Sequence, residues 1–293
     1  MTMILQCKGT ITDQNAPFLA LYDDIESKSG SLFLWDAQLA KLSALPDIGQ
    51  PLPNVLSAFN HASDKAFTFV KGSSASTDAY AKRELTAKGA LHFMVSQSFA
   101  ETISGLAFFG IEANSALQAE LFNKIMGGSS NIYFSIWQRV TRIGQNRGGF
   151  YGPMIAYGPN TNNFAFYIQS KQNNIGVASG STSESKLGVS AVQSAALAPN
   201  LLKTNIKSFS GTGITASTKL LIGSGVMAPW NVSQAQNESP SFAVYRIYIE
   251  DLSLSGRTYE QVKAIDDAEF NKAFGVGGRF YGDTWSNPAT VLP

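Results

Sequence analysis

Cysteine and histidine are nearly absent: Cys7, His61 and His92 are the only ones in a chain of 293 residues. A single cysteine excludes an intrachain disulfide, and three Cys and His in all are too few for a four-ligand Cys/His zinc site. A Ser-His-Asp set would have to use one of those histidines, and there is no G-x-S-x-G elbow to present the serine. His92 lies within the apolar run Ala90-Leu-His-Phe-Met-Val95, where a packed imidazole is the expected role. Cys7 sits in a plain strand pattern with no flanking signature of a catalytic thiol. Phosphate loops are missing too, since Gly275-Val-Gly-Gly278 follows a helical pattern instead of joining a strand to a helix.

Charge is scarce. Charged residues make up 15% of the chain, and 22 Lys and Arg against 21 Asp and Glu leave a net charge of +1. That balance gives no basic footprint for a nucleic acid or an anionic membrane. No apolar run approaches the roughly eighteen residues of a spanning helix. The start, Met1-Thr-Met-Ile-Leu-Gln-Cys-Lys8, lacks the basic-then-apolar order of a signal peptide. The expectation is a protein that folds in a reducing cytoplasm and leaves a cell only within an assembled particle. With 26 glycines and 11% aromatics, the low charge describes a surface that is covered or that touches something neutral.

What is present is a succession of short strand patterns punctuated by Gly, Asn, Pro and Ser. Strands are expected at Met3–Ile11, Phe18–Tyr22, Gly30–Asp36, Phe67–Val70, Ala90–Val95, Asn131–Ile143 and Tyr151–Tyr157. Others follow at Phe164–Gln169, Ile175–Ala178, Lys186–Val192, Thr204–Phe209, Lys219–Ile222 and Phe242–Leu254. This is an all-β pattern, an antiparallel sandwich or barrel rather than a parallel sheet with helical crossovers. The length has room for one large all-β domain or two smaller ones. No composition break or repeat marks a boundary, so the reading is a single domain over residues 1–293. Its irregular stretch is 45–53, where Pro46, Pro51 and Pro53 forbid a continuous strand or helix.

Within Asn131–Ile143, Ile132, Phe134, Ile136 and Val140 fall on one face and Tyr133, Trp137, Arg139 and Thr141 on the other. Two helices interrupt the strands. Ser115–Met126 carries Leu117, Leu121 and Ile125 at four-residue spacing before Gly127-Gly128. A C-terminal helix near 258–274 opens at Thr258, with Gln261 placed for a capping box, and ends at Gly275. Its expected apolar stripe is Val262, Ile265, Ala268, Ala273 and Phe274, with Glu260, Asp266, Asp267 and Glu269 facing water. Ahead of it, Tyr245, Ile247 and Ile249 alternate with Val244, Arg246 and Tyr248. The apolar phase shifts at Leu252 and Leu254, and a bulge at Glu250–Asp251 is the simplest cause.

Glycoside hydrolysis needs two carboxylates about 5–10 Å apart across a cleft. Asp23-Asp24 and Glu250-Asp251 are adjacent pairs whose side chains point to opposite faces of a strand. The chain therefore reads as no enzyme, with polysaccharide degradation the minor alternative. A neutral glycan is held by an aromatic platform plus amide and guanidinium groups. Loops at 147–153, 160–163, 172–174 and 230–237 supply such groups, and the candidate ligand-binding residues are Arg147, Tyr151, Asn160, Asn163, Trp230 and Asn231. The bland alternative is that these Asn and Gly residues make tight turns and Trp230 is core.

The C-terminal order of strand, Ser-Gly turn, Thr-initiated helix and Gly-rich aromatic tail resembles the closing segment of a known family. Gly30–Asp36, Pro51–Val55, Asn131–Arg142, Tyr245–Glu260 and Gly277–Asp283 carry the same likeness. The family is that of concanavalin-like or laminin-G-like β-sandwich proteins among tailed-bacteriophage virion components. The resemblance implies a jelly-roll sandwich that works as a virion structural protein. Its place would be a tail or baseplate appendage that binds host-surface carbohydrate, with capsid decoration without a ligand as the alternative. Partners would be other virion proteins and further copies of the chain, most often as a trimer, with Tyr133, Trp137 and Arg139 available to an interface or to the underside of the C-terminal helix. Such folds need no cofactor beyond calcium, and its candidate ligands here are Asp23, Asp24 and Glu26, with Asp36 at a strand end. The similarity lies in core segments, so it transfers no ligand residue, and function by fold alone is analogy.

Overall fold

The computed structural model describes residues 24–58, 62–72, 77–98, 108–126, 132–142, 153–157, 166–171, 174–178, 186–191, 201–207, 219–225 and 240–293. The expected strands Met3–Ile11 and Phe18–Tyr22 lie outside these residues. The described chain is mostly antiparallel β-sheet with a few short helices.

In chain order the elements begin with β1 (Ser31–Asp36), α1 (Ala37–Ala40), β2 (Pro51–Leu52), a 3-10 turn at Val55–Ala58, β3 (Phe67–Lys71), α2 (Thr77–Tyr80), β4 (Ala81–Leu85) and β5 (Leu91–Val95). Next come β6 (Phe108–Ala113), α3 (Ser115–Met126), β7 (Ile132–Arg142), β8 (Pro153–Tyr157), β9 (Phe166–Lys171) and β10 (Asn174–Ala178). The remainder is β11 (Lys186–Ala191), β12 (Leu201–Lys207), β13 (Leu220–Gly225), β14 (Ser241–Asp251), α4 (Leu252–Ser255), α5 (Tyr259–Phe274) and α6 (Pro288–Val291).

Two seven-stranded sheets result. The first runs β11-β12-β7-β14-β5-β4, and β1 lies beside β5 along the same edge of β14. There β5 pairs with Phe242–Val244 and β1 with Arg246–Glu250. The second sheet runs β10-β9-β8-β13-β6-β3-β2. The proline segment forms only the two-residue β2 at the sheet's margin, where a residue without an N–H costs no ladder bond.

β4 has no strand signature, because Lys82-Arg83-Glu84 interrupts the apolar pattern. It forms because the turn Thr86–Ala90 folds it onto β5. Gly89 there takes a φ of +82°, and the Thr86 Oγ1 accepts from the Ala90 N–H at 3.0 Å.

The two sheets share one apolar cluster. Phe33 and Trp35 of β1, Ile132, Phe134 and Ile136 of β7 and Ile247 and Ile249 of β14 meet Phe67, Phe69, Ile111 and Ile222 of the second sheet. The Phe33 and Phe67 rings pack edge-on at 4.9 Å. Burying each such side chain contributes about 1.5–3 kcal/mol.

The other face of the first sheet lies under α5 and the turn after it. Trp137 meets Phe270 at 5.3 Å, and Tyr245 meets Phe274 at 4.9 Å and Phe280 at 5.0 Å. The faces expected for β7 are those observed, and Tyr133 and Trp137 pack beneath the C-terminal helix.

Three expectations about the C-terminal region need correction. The bulge is at Tyr245, not at Glu250–Asp251: Val244 pairs with Gln138 while Arg246 pairs with Trp137, leaving Tyr245 as the extra residue. Tyr245 and Arg246 therefore both face α5, and the apolar phase shift at Leu252 marks the end of the strand, where the Asp251 carboxylate caps α4. Asp266 does not face water but is completely buried, on the same stripe as Val262 and Phe270. Ala268 is exposed instead. Gly275 ends α5 as expected, though at φ −66° and not in the left-handed form. A Cβ there would come within 2.8 Å of the Asn271 carbonyl oxygen, so the close return of the chain is what demands glycine. The capping box is present, with Thr258 and Gln261 each accepting from the other's N–H.

Candidate functional site

Most of the residues named from sequence as ligand candidates, Arg147, Tyr151, Asn160, Asn163, Trp230 and Asn231, lie outside the described residues, as does Asp23. Asp24 is exposed in a turn and Glu26 is half-buried. No group of three or more His, Cys, Asp and Glu converges among the described residues. Asp36 is unsuited to calcium. Its Oδ1 caps α1, and its Oδ2 accepts from Arg246 at 3.2 Å and Arg279 at 2.9 Å. Two guanidiniums at one carboxylate oxygen repel a cation.

The best-built polar structure is the layer between the first sheet and α5. β1 and β14 bring Asp36 and Arg246 side by side as register partners, both fully buried. Arg279 arrives from the turn after α5 and also reaches Glu269 at 3.4 Å. The two guanidiniums lie over the Trp137 ring at 4.8 Å and 5.4 Å, so the indole face receives both charges. The indole Nε1 donates to Asp266 at 3.0 Å, and the Tyr133 and Ser135 hydroxyls donate to the other oxygen of that carboxylate. Three alternate residues of β7 thus hold one carboxylate of α5. Burial, then the charge of Asp266, pushes the Tyr133 hydroxyl well above its ordinary pKa.

Two further carboxylates fasten the ends of this layer. Glu250 takes Arg257 through both oxygens and accepts from the Tyr248 hydroxyl at 2.7 Å. Asp283 accepts from the Tyr245 hydroxyl at 2.8 Å and the Lys88 N–H at 2.7 Å, which ties the tail to the β4–β5 turn. Arg257, Arg279 and Asp283 are accordingly anchors of turn and tail.

At the far end of the same face is a hydroxyl–imidazole–carboxylate relay. Glu84 and His92 are register partners on β4 and β5, with Glu84 Oε1 at 2.8 Å from Nδ1. Thr141 Oγ1 lies 2.8 Å from Nε2. Thr141 is the residue left unmatched where Arg142 pairs with Ser241 and Val140 with Phe242, and this second bulge is where the chain reaches His92. Ser286 donates to Glu84 through both its N–H (2.8 Å) and its hydroxyl (2.7 Å), and Trp285 packs edge-on to the imidazole at 6.5 Å. Burial lowers the His92 pKa against the opposing pull of Glu84, and hydrogen bonds from His92 and Ser286 hold the Glu84 pKa below its ordinary value despite desolvation.

No protein-family model matches the chain, and no curated protein is similar enough to count as a relative. What the site can do must be read from its own geometry. A nucleophile–base–carboxylate order is present in Thr141, His92 and Glu84, but the imidazole is fully buried and Trp285 packs on it. The relay's hydrogen bonds tie β4, β5, β7 and the tail to one another.

The sequence carried a signal for both missed groups. Asp266 falls at i+4 from Val262 and i−4 from Phe270, which is the buried stripe itself. Glu84 and His92 stand at equal distances from the turn containing Lys88-Gly89, as a hairpin pair would.

Proposed function

We propose that this chain is a structural and binding protein of a tailed-phage particle, a jelly-roll sandwich serving as a tail or baseplate appendage. The observation that carries this reading is the fate of the buried carboxylates. Asp36, Asp266, Glu250 and Asp283 are all spent on holding α5 and the tail against the first sheet. A site for hydrolysis keeps such groups poised in a cleft, whereas a scaffold uses them to fix its parts. The likeness of the C-terminal segment to virion sandwich proteins supports the same conclusion.

On this reading the glycan-binding groups are Arg147, Tyr151, Asn160, Asn163, Trp230 and Asn231, and the working form is a homo-oligomer, with a trimer the first expectation. Binding of the purified protein to an array of bacterial surface polysaccharides tests it. Retention of at least one polysaccharide, reduced tenfold or more by Trp230→Ala, is the expected result. Silence across the array, with a trimer in light scattering, would favour the ligand-free decoration role instead.

A further inference from the structure

We propose that residues 284–293 are an acid-released latch, closed over the outer face of the first sheet by the Thr141–His92–Glu84–Ser286 relay. This goes beyond the proposed binding role and does not depend on it.

The segment is held mainly by polar contacts. The Thr284 carbonyl accepts from the Ala87 N–H at 2.9 Å, Ser286 binds Glu84, Arg142 donates to the Leu292 carbonyl at 2.6 Å, and Ser98 donates to the Pro293 carbonyl at 2.7 Å. Pro288 and Leu292 are its buried apolar residues, and Trp285 is half-buried between His92 and Arg139. The preceding turn is different, because Phe280 is buried in the aromatic cluster with Trp137 and Tyr245. A segment with so little apolar burial opens at a lower free energy than the body it lies on.

His92 stands at the centre of what holds it. The groups that face it are Glu84 from β4, Thr141 from β7, and Asp283 and Trp285 from the tail, with Ala243 of β14 beside it; Arg139 of β7 stacks on the Trp285 ring at 5.2 Å. In the closed form the Nδ1 proton serves Glu84 and Nε2 accepts the Thr141 hydroxyl. A second proton on the ring must be accommodated without solvent. Opening removes Trp285 from the ring and lets the imidazolium be hydrated.

The sign follows from linkage. The closed form has the lowered His92 pKa, and hydration in the open form would return the imidazole to its ordinary value near 6.5. Closure is at full strength above pH about 6.5 and weakens as pH falls, by up to about tenfold in the open-to-closed ratio per unit, until the lowered pKa is passed. Glu84 acts in the same direction at lower pH, since its pKa is depressed in the closed form from 4.5.

Hydrogen exchange on the full chain at pH 7.5 and 5.5, expressed as protection factors, tests the latch. Protection of 284–293 is expected to fall at the lower pH, by at most about tenfold, while that of α5 is unchanged, and His92→Gln should flatten the difference. Ser286→Ala should lower tail protection at pH 7.5 and leave α5 alone. Equal tail protection at both pH values, a parallel loss across α5, or an undiminished pH effect in a folded His92→Gln protein would each overturn the proposal.

Discussion

Toward the second sheet, β14 presents Phe242, Val244, Ile247 and Ile249; toward α5 it presents Tyr245, Arg246, Tyr248 and Glu250. Both sides are buried along the whole strand. The inner side gains from simple removal of apolar surface, which tolerates substitution by residues of similar volume. The outer side is held by charge and hydrogen-bond direction, which tolerates almost none, because a buried charge that loses its partner retains its desolvation cost. The inner face stabilises the sheets against each other. The outer face fixes where α5 and the tail must sit.

The sharpest way to break the comparison is at Asp36. Asp36→Ala leaves Arg246 fully buried and Arg279 largely so, both without their shared acceptor. A loss of about 3–5 kcal/mol is expected, read as a lower denaturant midpoint together with loss of the near-UV signal of Trp137. Ile247→Val, on the inner side of the same strand, should cost only about 0.5–1.5 kcal/mol. Equal losses at the two positions would mean that the faces are not held differently.

Legibility from sequence divides along the same line. The inner face of β7, the bounds of α3 and the capping box of α5 follow from periodicity and cap chemistry, which are local. What could not be read locally is the partner of each outer-face charge, since Asp36 and Arg279 are separated by most of the chain. The single extra residue at Tyr245 also escaped, because a bulge reverses the faces of a strand without altering its composition. Acidic residues on a helix are expected in water, and Asp266 is inside only because Tyr133, Ser135 and Trp137 of a distant strand supply three donors.

One residue crosses the division. Gln138 is fully buried on the inner side of β7, in register with Val244, and neither atom of its amide finds a hydrogen-bond partner among the described residues. An unmade hydrogen bond of this kind costs about 1–3 kcal/mol. Gln138→Met, of similar length and without the amide, is expected to raise stability by about 1–2 kcal/mol, measured as a higher denaturant midpoint at unchanged slope. A destabilised variant would show that the inner face also relies on polar direction, and the contrast between the faces would narrow.

The smallest effect is expected at the exposed start of α5. Thr258→Ala removes the side-chain acceptor for the Gln261 N–H and one half of the capping box. An N-cap of this kind contributes about 1 kcal/mol. The helix itself should stay in place, because Asp266 is held by three donors from β7 and Phe270 and Phe274 pack on Trp137. Exchange at residues 259–262 should therefore quicken by roughly fivefold while residues 266–274 keep their protection, since a lost cap frays a first turn without loosening what is buried behind it. Loss of protection along the whole helix would place its anchor at the cap, and the outer-face charges would then follow the helix instead of positioning it.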